Sequence, residues 1–136
     1  MRTNSSMTIY NKFNGAGATL FKRTELPAVK WENRKAANVI KSGLLAADAV
    51  VIYIPFLSIN SHYVKPLAWR ALTVKNGLFT FQVGDYIVRG SVIDEISSEF
   101  TLTDLKNKYD DVVKITTVDL MDAGSRDMHH FQLGCS

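Results

Sequence analysis

The residues of this chain best suited to chemistry are three histidines, several adjacent carboxylates and one cysteine. His129 and His130 follow Asp122 and Asp127, a set that would suit a divalent cation if His62 came round to complete it. Adjacent residues on a strand point to opposite faces, so only one of the two histidines could face a given ion. Asp94-Glu95 and Asp110-Asp111 are the raw material of an acid–base dyad. Neighbouring acids beside element ends more often sit in solvent or accept hydrogen bonds from turn amides. Ser125, next to Arg126 and Asp127, has no base brought within reach by its spacing. Asn14-Gly15-Ala16-Gly17-Ala18 lacks the lysine and hydroxyl residue of a phosphate loop, and no Gly-x-Ser-x-Gly elbow occurs. Cys135 alone permits neither an internal disulfide nor a Cys-x-x-Cys site, and its penultimate position predicts a thiol open to solvent in a protein made in a reducing cytoplasm. The expectation is a protein that is not an enzyme, with no catalytic residue, no metal and no cofactor.

The elements that must position these residues read as short strands. Residues 7–13 alternate weakly and run into Asn14-Gly15, a tight-turn signal, and residues 19–24 follow at hairpin distance. Pro27 punctuates, and residues 28–32 alternate again with Val29 and Trp31 on one face, predicting a three-strand meander. Residues 33–48 fit a short helix closed by Gly43 or a ragged strand equally well. Residues 49–55 are the clearest strand, six β-favouring residues stopped by Pro55, and are expected to be central. Residues 57–76 lose all periodicity and predict a long projecting loop carrying His62, Tyr63, Lys65, Trp69 and Arg70. A hairpin over 78–82 and 86–90 turns at Val83-Gly84-Asp85, and residues 91–96 could continue as a strand. A short helix over 103–109 has Thr101 or Thr103 as its cap, with Asp104 suiting its N-terminal dipole, and strands over 112–118 and 129–133 close the chain. The fold class is all-β: a small barrel or sandwich of about eight short strands, with one long loop and one short helix.

At 136 residues, 46% hydrophobic and 21% charged, the chain suits one domain, residues 1–136, with residues 1–6 a flexible leader. No apolar stretch reaches the roughly 20 residues of a membrane helix, so no membrane partner is expected. Charge is uneven. Residues 1–68 hold nine Lys/Arg against three Asp/Glu, and residues 69–136 hold seven against ten. Lys22, Arg23, Lys30, Arg34, Lys35 and Lys41 form a candidate basic interface. Near Phe21, Trp31 and Tyr53 they would suit a barrel that stacks single-stranded nucleic acid, although Phe21 and Trp31 alternate with polar neighbours as core residues do.

Three stretches carry a resemblance: Val29-Lys30-Trp31-Glu32, the run into Tyr53-Ile54-Pro55-Phe56, and Phe79-Thr80-Phe81-Gln82-Val83-Gly84-Asp85-Tyr86-Ile87-Val88-Arg89-Gly90. With Tyr109-Asp110-Asp111-Val112, Gly124-Ser125 and Asp127-Met128-His129-His130-Phe131, the chain from Met7 onward resembles small neck proteins of long-tailed bacteriophages, the head-completion or stopper-type head-to-tail connectors. The resemblance implies a barrel-like virion structural protein without catalytic residues, assembled in the host cytoplasm into a homo-oligomeric, six-fold ring in the neck. Its partners would be portal and adaptor on one side and tail-completion or tail-tube proteins on the other, with packaged double-stranded DNA in the channel. The long loop, with His62, Tyr63, Lys65, Trp69 and Arg70, would project toward the axis. A tail terminator is the near alternative, and the nucleic-acid barrel is the alternative of another class.

Overall fold

The computed structural model describes residues 3–15, 18–33, 50–59, 62–72 and 77–136. Its described strands are β1 (Ser5–Gly15), β2 (Ala18–Asn33), β3 (Val50–Pro55), β4 (Tyr86–Arg89), β5 (Val112–Met121) and β6 (His130–Cys135). They form a closed antiparallel barrel in the order β1-β2-β3-β6-β5-β4. Two short helices, α1 (Pro66–Ala71) and α2 (Leu102–Lys108), are appended. The all-β barrel expected from the sequence is therefore present, built among the described residues from six strands, several of them longer than expected.

The expected break at Pro27 is absent because one strand runs through it. Ser5 pairs with Val29 and Met7 with Leu26, so Pro27 and Ala28 form a bulge, where a residue without an N–H costs no ladder hydrogen bond. β2 then exchanges β1 for β3 at Lys30, so one bent strand serves two neighbours. β3 is central as its composition predicts, flanked by β2 and β6, with Val50, Ile52 and Ile54 pointing inward. Asn4, Ser5 and Ser6, expected in a flexible leader, belong to the barrel. Asn4 donates its backbone N–H to Val29 O at 2.9 Å and its side chain brackets Trp31.

Leu78 to Gln82 is not the first arm of a hairpin. Its place on the ladder is taken by a side chain: Asn11 donates to Thr80 O at 2.7 Å and accepts from Thr80 N–H at 3.2 Å. Asp85 N–H closes the turn onto Gln82 O, and Gly84 supplies the positive φ (97°) that the turn needs. Residues 91–96 likewise form no strand. Gly90, at φ 95°, turns the chain away, and Thr8 Oγ1 accepts from Val92 N–H while donating to Gly90 O.

That departing segment covers the outer face of β1 and β4. Tyr10, Val88, Val92 and Leu105 form a second apolar cluster outside the barrel, so both faces of these strands are buried. α2 starts on a capping box in which Thr101 Oγ1 accepts from Asp104 N–H and the Asp104 carboxylate accepts from Thr101 N–H. Cys135 corrects the expectation of a solvent-reachable thiol. It is fully buried in the barrel core, opposite Val50 and Ile115.

Candidate functional site

β4 is only four residues long, and this shapes one end of the barrel. It pairs with Met7–Tyr10 on one side and with Val112–Lys114 on the other. The last backbone bonds along this seam link Gly84 N–H to Ile115 O and Ile115 N–H to Asp85 O. Beyond them β1 and β5 part, and residues 78–84 together with α1 fill the space. Phe79 and Phe81 turn inward and meet Tyr63 and Phe131, with ring centroids 4.6 Å apart for Tyr63–Phe131, 5.0 Å for Phe81–Phe131 and 5.4 Å for Tyr63–Phe81. Pro66 opens α1 with the φ that a first helical residue requires, and Trp69, one turn on, packs edge-to-face on Phe13 of β1 at 5.8 Å.

Two grooves flank this plug and share Arg70, Gln82 and Val83 as their common wall. The first, about 300 Å³, runs against β1, with Lys12 and Asn14 at its side and Asp85 at its floor. The second, about 420 Å³, runs against β5 and is lined by Tyr63, Pro66, Phe81 and Val118. Asp85 is 2% exposed and accepts from Asn11 Nδ2 (2.9 Å), Gln82 Nε2 (2.9 Å) and Lys12 N–H (3.2 Å). Burial pushes its pKa up, and these three hydrogen bonds oppose that rise without cancelling it. A carboxylate held this way fastens the 82–85 turn to β1.

The same end gathers the exposed apolar side chains. In this antiparallel barrel the ends of β1, β3 and β5 and the starts of β2, β4 and β6 lie together. Leu20, Leu57, Val83, Leu120, Met121 and Met128 are exposed large hydrophobics in or beside those termini, and α1 adds Leu67 at 77% exposure. Ile93, beyond the other end of β4, is the exception among the described residues.

A second polar cluster lies over the β1–β4 wall. Asp94 accepts from Lys108 Nζ (2.8 Å) and Tyr109 Oη (2.5 Å), which together lower its pKa, and its carbonyl accepts from Tyr10 Oη at 2.6 Å. Glu95 lies 3.6 Å from Arg23, which also pairs with Glu25 at 2.9 Å. These contacts tie residues 92–96 to α2 and β2. Asp94 and Glu95 are thereby separate structural ties, not a shared-proton dyad.

Of the residues expected on the projecting loop, His62, Lys65 and Arg70 are exposed, while Tyr63 is half-buried in the aromatic cluster and Trp69 is fully buried. The described part of residues 57–76 therefore folds back on the barrel instead of projecting, because its aromatics fill the gap that β4 leaves. Of the expected basic interface, Lys22 is half-buried with its pKa lowered by desolvation, Arg23 is ion-paired, and Lys30 lies over the Tyr53 ring at 5.3 Å. Arg34, Lys35 and Lys41 lie outside the described residues. Trp31, the best candidate for stacking a base, is a core residue whose Nε1 donates to Asn33 Oδ1. His129 Nε2 sits 3.3 Å from Gly124 O and His130 Nδ1 sits 3.1 Å from Met128 O, so each is engaged by its own turn. Among the described residues no three His, Cys, Asp or Glu side chains form a metal-binding group. No described helix is long and apolar enough to cross a membrane.

Of the residues expected on the loop, Tyr63 and Arg70 line the grooves and Lys65 lines neither, while Lys12, Gln82, Asp85 and Val118 were not expected there, because their neighbourhood exists only once β1, the 82–85 turn and β5 are brought together. The one available signal was the Gly84-Asp85 pair, which reads equally well as an ordinary turn. No curated protein and no solved structure matches this chain. The family of unknown function DUF6751 matches residues 2–136, and the chain belongs to that family.

Proposed function

We propose that this chain is a structural protein of a tailed-phage virion, a head-to-tail connector of the stopper type. It acts by docking and has no turnover. It forms a homo-oligomeric ring in the neck between portal–adaptor and tail, and helps retain packaged double-stranded DNA. The observation that supports this most is the collection of exposed apolar side chains at one end of a closed barrel, from Leu57 and Leu67 to Val83 and Leu120. Isolated exposed apolar residues are ordinary on any protein, but a shared rim is characteristic of a protein–protein contact. The flank over β1 and β4 differs in kind: residues 94–111 carry six carboxylates and two lysines. A connector needs such unlike faces, one toward each neighbour, and a heterologous interface between subunits needs them as well. A tail terminator would use the same faces at another position in the neck. The nucleic-acid reading is weaker, since Trp31 is in the core and cannot stack a base without unfolding β2.

The test is negative-stain microscopy with mass measurement, on the protein alone and then mixed with portal–adaptor complex from the same genome. A discrete added ring is the expected result. A monomer that ignores the complex, and retards short single-stranded DNA at low salt, would overturn the proposal in favour of the nucleic-acid barrel.

A further inference from the structure

β5 keeps one side unpaired over half its length. Thr117 to Met121 pair with β6 through Gly134 to His130, but on the other side the seam with β4 ends at Lys114 and the Asp85–Ile115 contact. In an antiparallel ladder, alternate residues turn both backbone groups away from the partner strand. Among the described residues, nothing receives those groups between Thr117 and Met121. A bulge at Thr116 puts Val118 and Leu120 toward the barrel mouth and leaves Thr117, Asp119 and Met121 facing out. Free strand edges are ordinarily paired, covered or blocked by charge, because they template a further strand.

The space beside this edge has the matching shape. The 420 Å³ groove lies between Val118 and a wall in which the apolar Pro66, Phe81 and Val83 and the ring of Tyr63 are joined by Arg70 and Gln82. Neither Asp119 nor Asp122, at the outer side and end of the edge, has an ion-pair partner among the described residues. From the unpaired edge, the groove with Val118, Phe81 and Pro66 in its wall, and the two carboxylates together, we infer that β5 accepts an added strand: an extended segment of a partner protein, apolar at alternate positions, with lysine or arginine between them. Its apolar side chains enter the groove beside Val118 and Leu120, and its basic side chains face Asp119. Main-chain bonds supply affinity and the alternation supplies selectivity, as in other strand-addition complexes. The inference holds whether or not the chain sits in a virion neck.

The test uses a dye-labelled eight-residue peptide alternating valine and lysine, with a valine–glutamate peptide as its control. Fluorescence anisotropy is read on the full chain and on Asp119→Lys, an exposed substitution outside the core. The lysine peptide should bind the wild type better than the glutamate peptide, and Asp119→Lys should reverse the order, each by about threefold, the effect of a cross-strand charge pair. Amide exchange at residues 117–121 should slow only when the preferred peptide is present. Absence of binding, a preference unmoved by Asp119→Lys, or protection appearing on any other strand would overturn the inference.

Discussion

The two stretches of the β1–β4–β5 seam are built on opposite plans. Where β4 is present, Tyr86–Arg89 pair on both sides, and α2 with residues 92–96 buries the outer face as well. Where β4 is missing, only a single backbone bridge between Tyr63 and Phe79 is made in this segment among the described residues, and side chains supply the rest: Asn11 stands in for a strand beside Thr80, and four aromatic rings fill the mouth. The paired stretch draws its order from ladder hydrogen bonds that are nearly indifferent to sequence. The filled stretch depends on a few large side chains, and it leaves grooves and an unpaired edge where they end. That difference explains why, among the described residues, the two grooves and most of the exposed apolar side chains collect at one end.

Removing one ring should hurt the filled stretch most. Phe81→Ala deletes a 1%-exposed side chain at the centre of the cluster and should cost about 3–5 kcal/mol in denaturant unfolding. A loss below about 1 kcal/mol would mean that the aromatics cap the barrel without supporting it. Tyr10→Phe probes the paired stretch by deleting the Oη–Asp94 O bond, and should cost about 1 kcal/mol. If it costs as much as Phe81→Ala, the contrast between the two stretches fails.

Two aspartates should respond to pH with opposite sign. Asp85, at the filled end, has a raised pKa, so the folded state takes up its proton before the unfolded state does. Its protonation favours folding as pH falls through the raised value toward the ordinary 3.8. Asp94, over the paired stretch, has a lowered pKa, so its stabilising contribution is complete above 3.8 and is lost as pH falls through the folded value. Unfolding by urea between pH 7 and pH 3 should therefore show the wild type gaining on Asp85→Asn as pH falls, and losing its advantage over Asp94→Asn. The smallest effect is expected at the rim. Leu67→Ser should change stability by less than about 0.5 kcal/mol; if the connector proposal holds, it should also weaken assembly with a portal–adaptor complex, and unchanged assembly would count Leu67 out of the proposed interface.

Legibility in the sequence follows the same division. β3, β5, β6 and α2 were readable because local signals decide them: β-branched runs, alternation, and the Thr101–Asp104 box. β2 was cut in two because Pro27 ends most strands, and only the pairing with β1 shows that it occupies a bulge. The supposed hairpin at residues 78–90 failed because the partner of Thr80 is a side chain 69 residues away, which no periodicity encodes. Trp69 was placed in solvent since a stretch without pattern reads as a loop, although Pro66 and Trp69 have the spacing of one helical turn. The site was legible at Arg70, a cation in an irregular stretch, and illegible at Asp85 and Val118, whose neighbourhood is assembled by the fold.

The wall that the two grooves share has a consequence for whatever fills them. Arg70, Gln82 and Val83 face both spaces, so an occupant that shifts this wall reshapes the site on its far side. Two ligands bound on either side of such a partition are linked in free energy, each changing the other's affinity by the same factor. A partner on the β1 side would then be sensed on the β5 side across the width of a single turn, with no movement of the barrel.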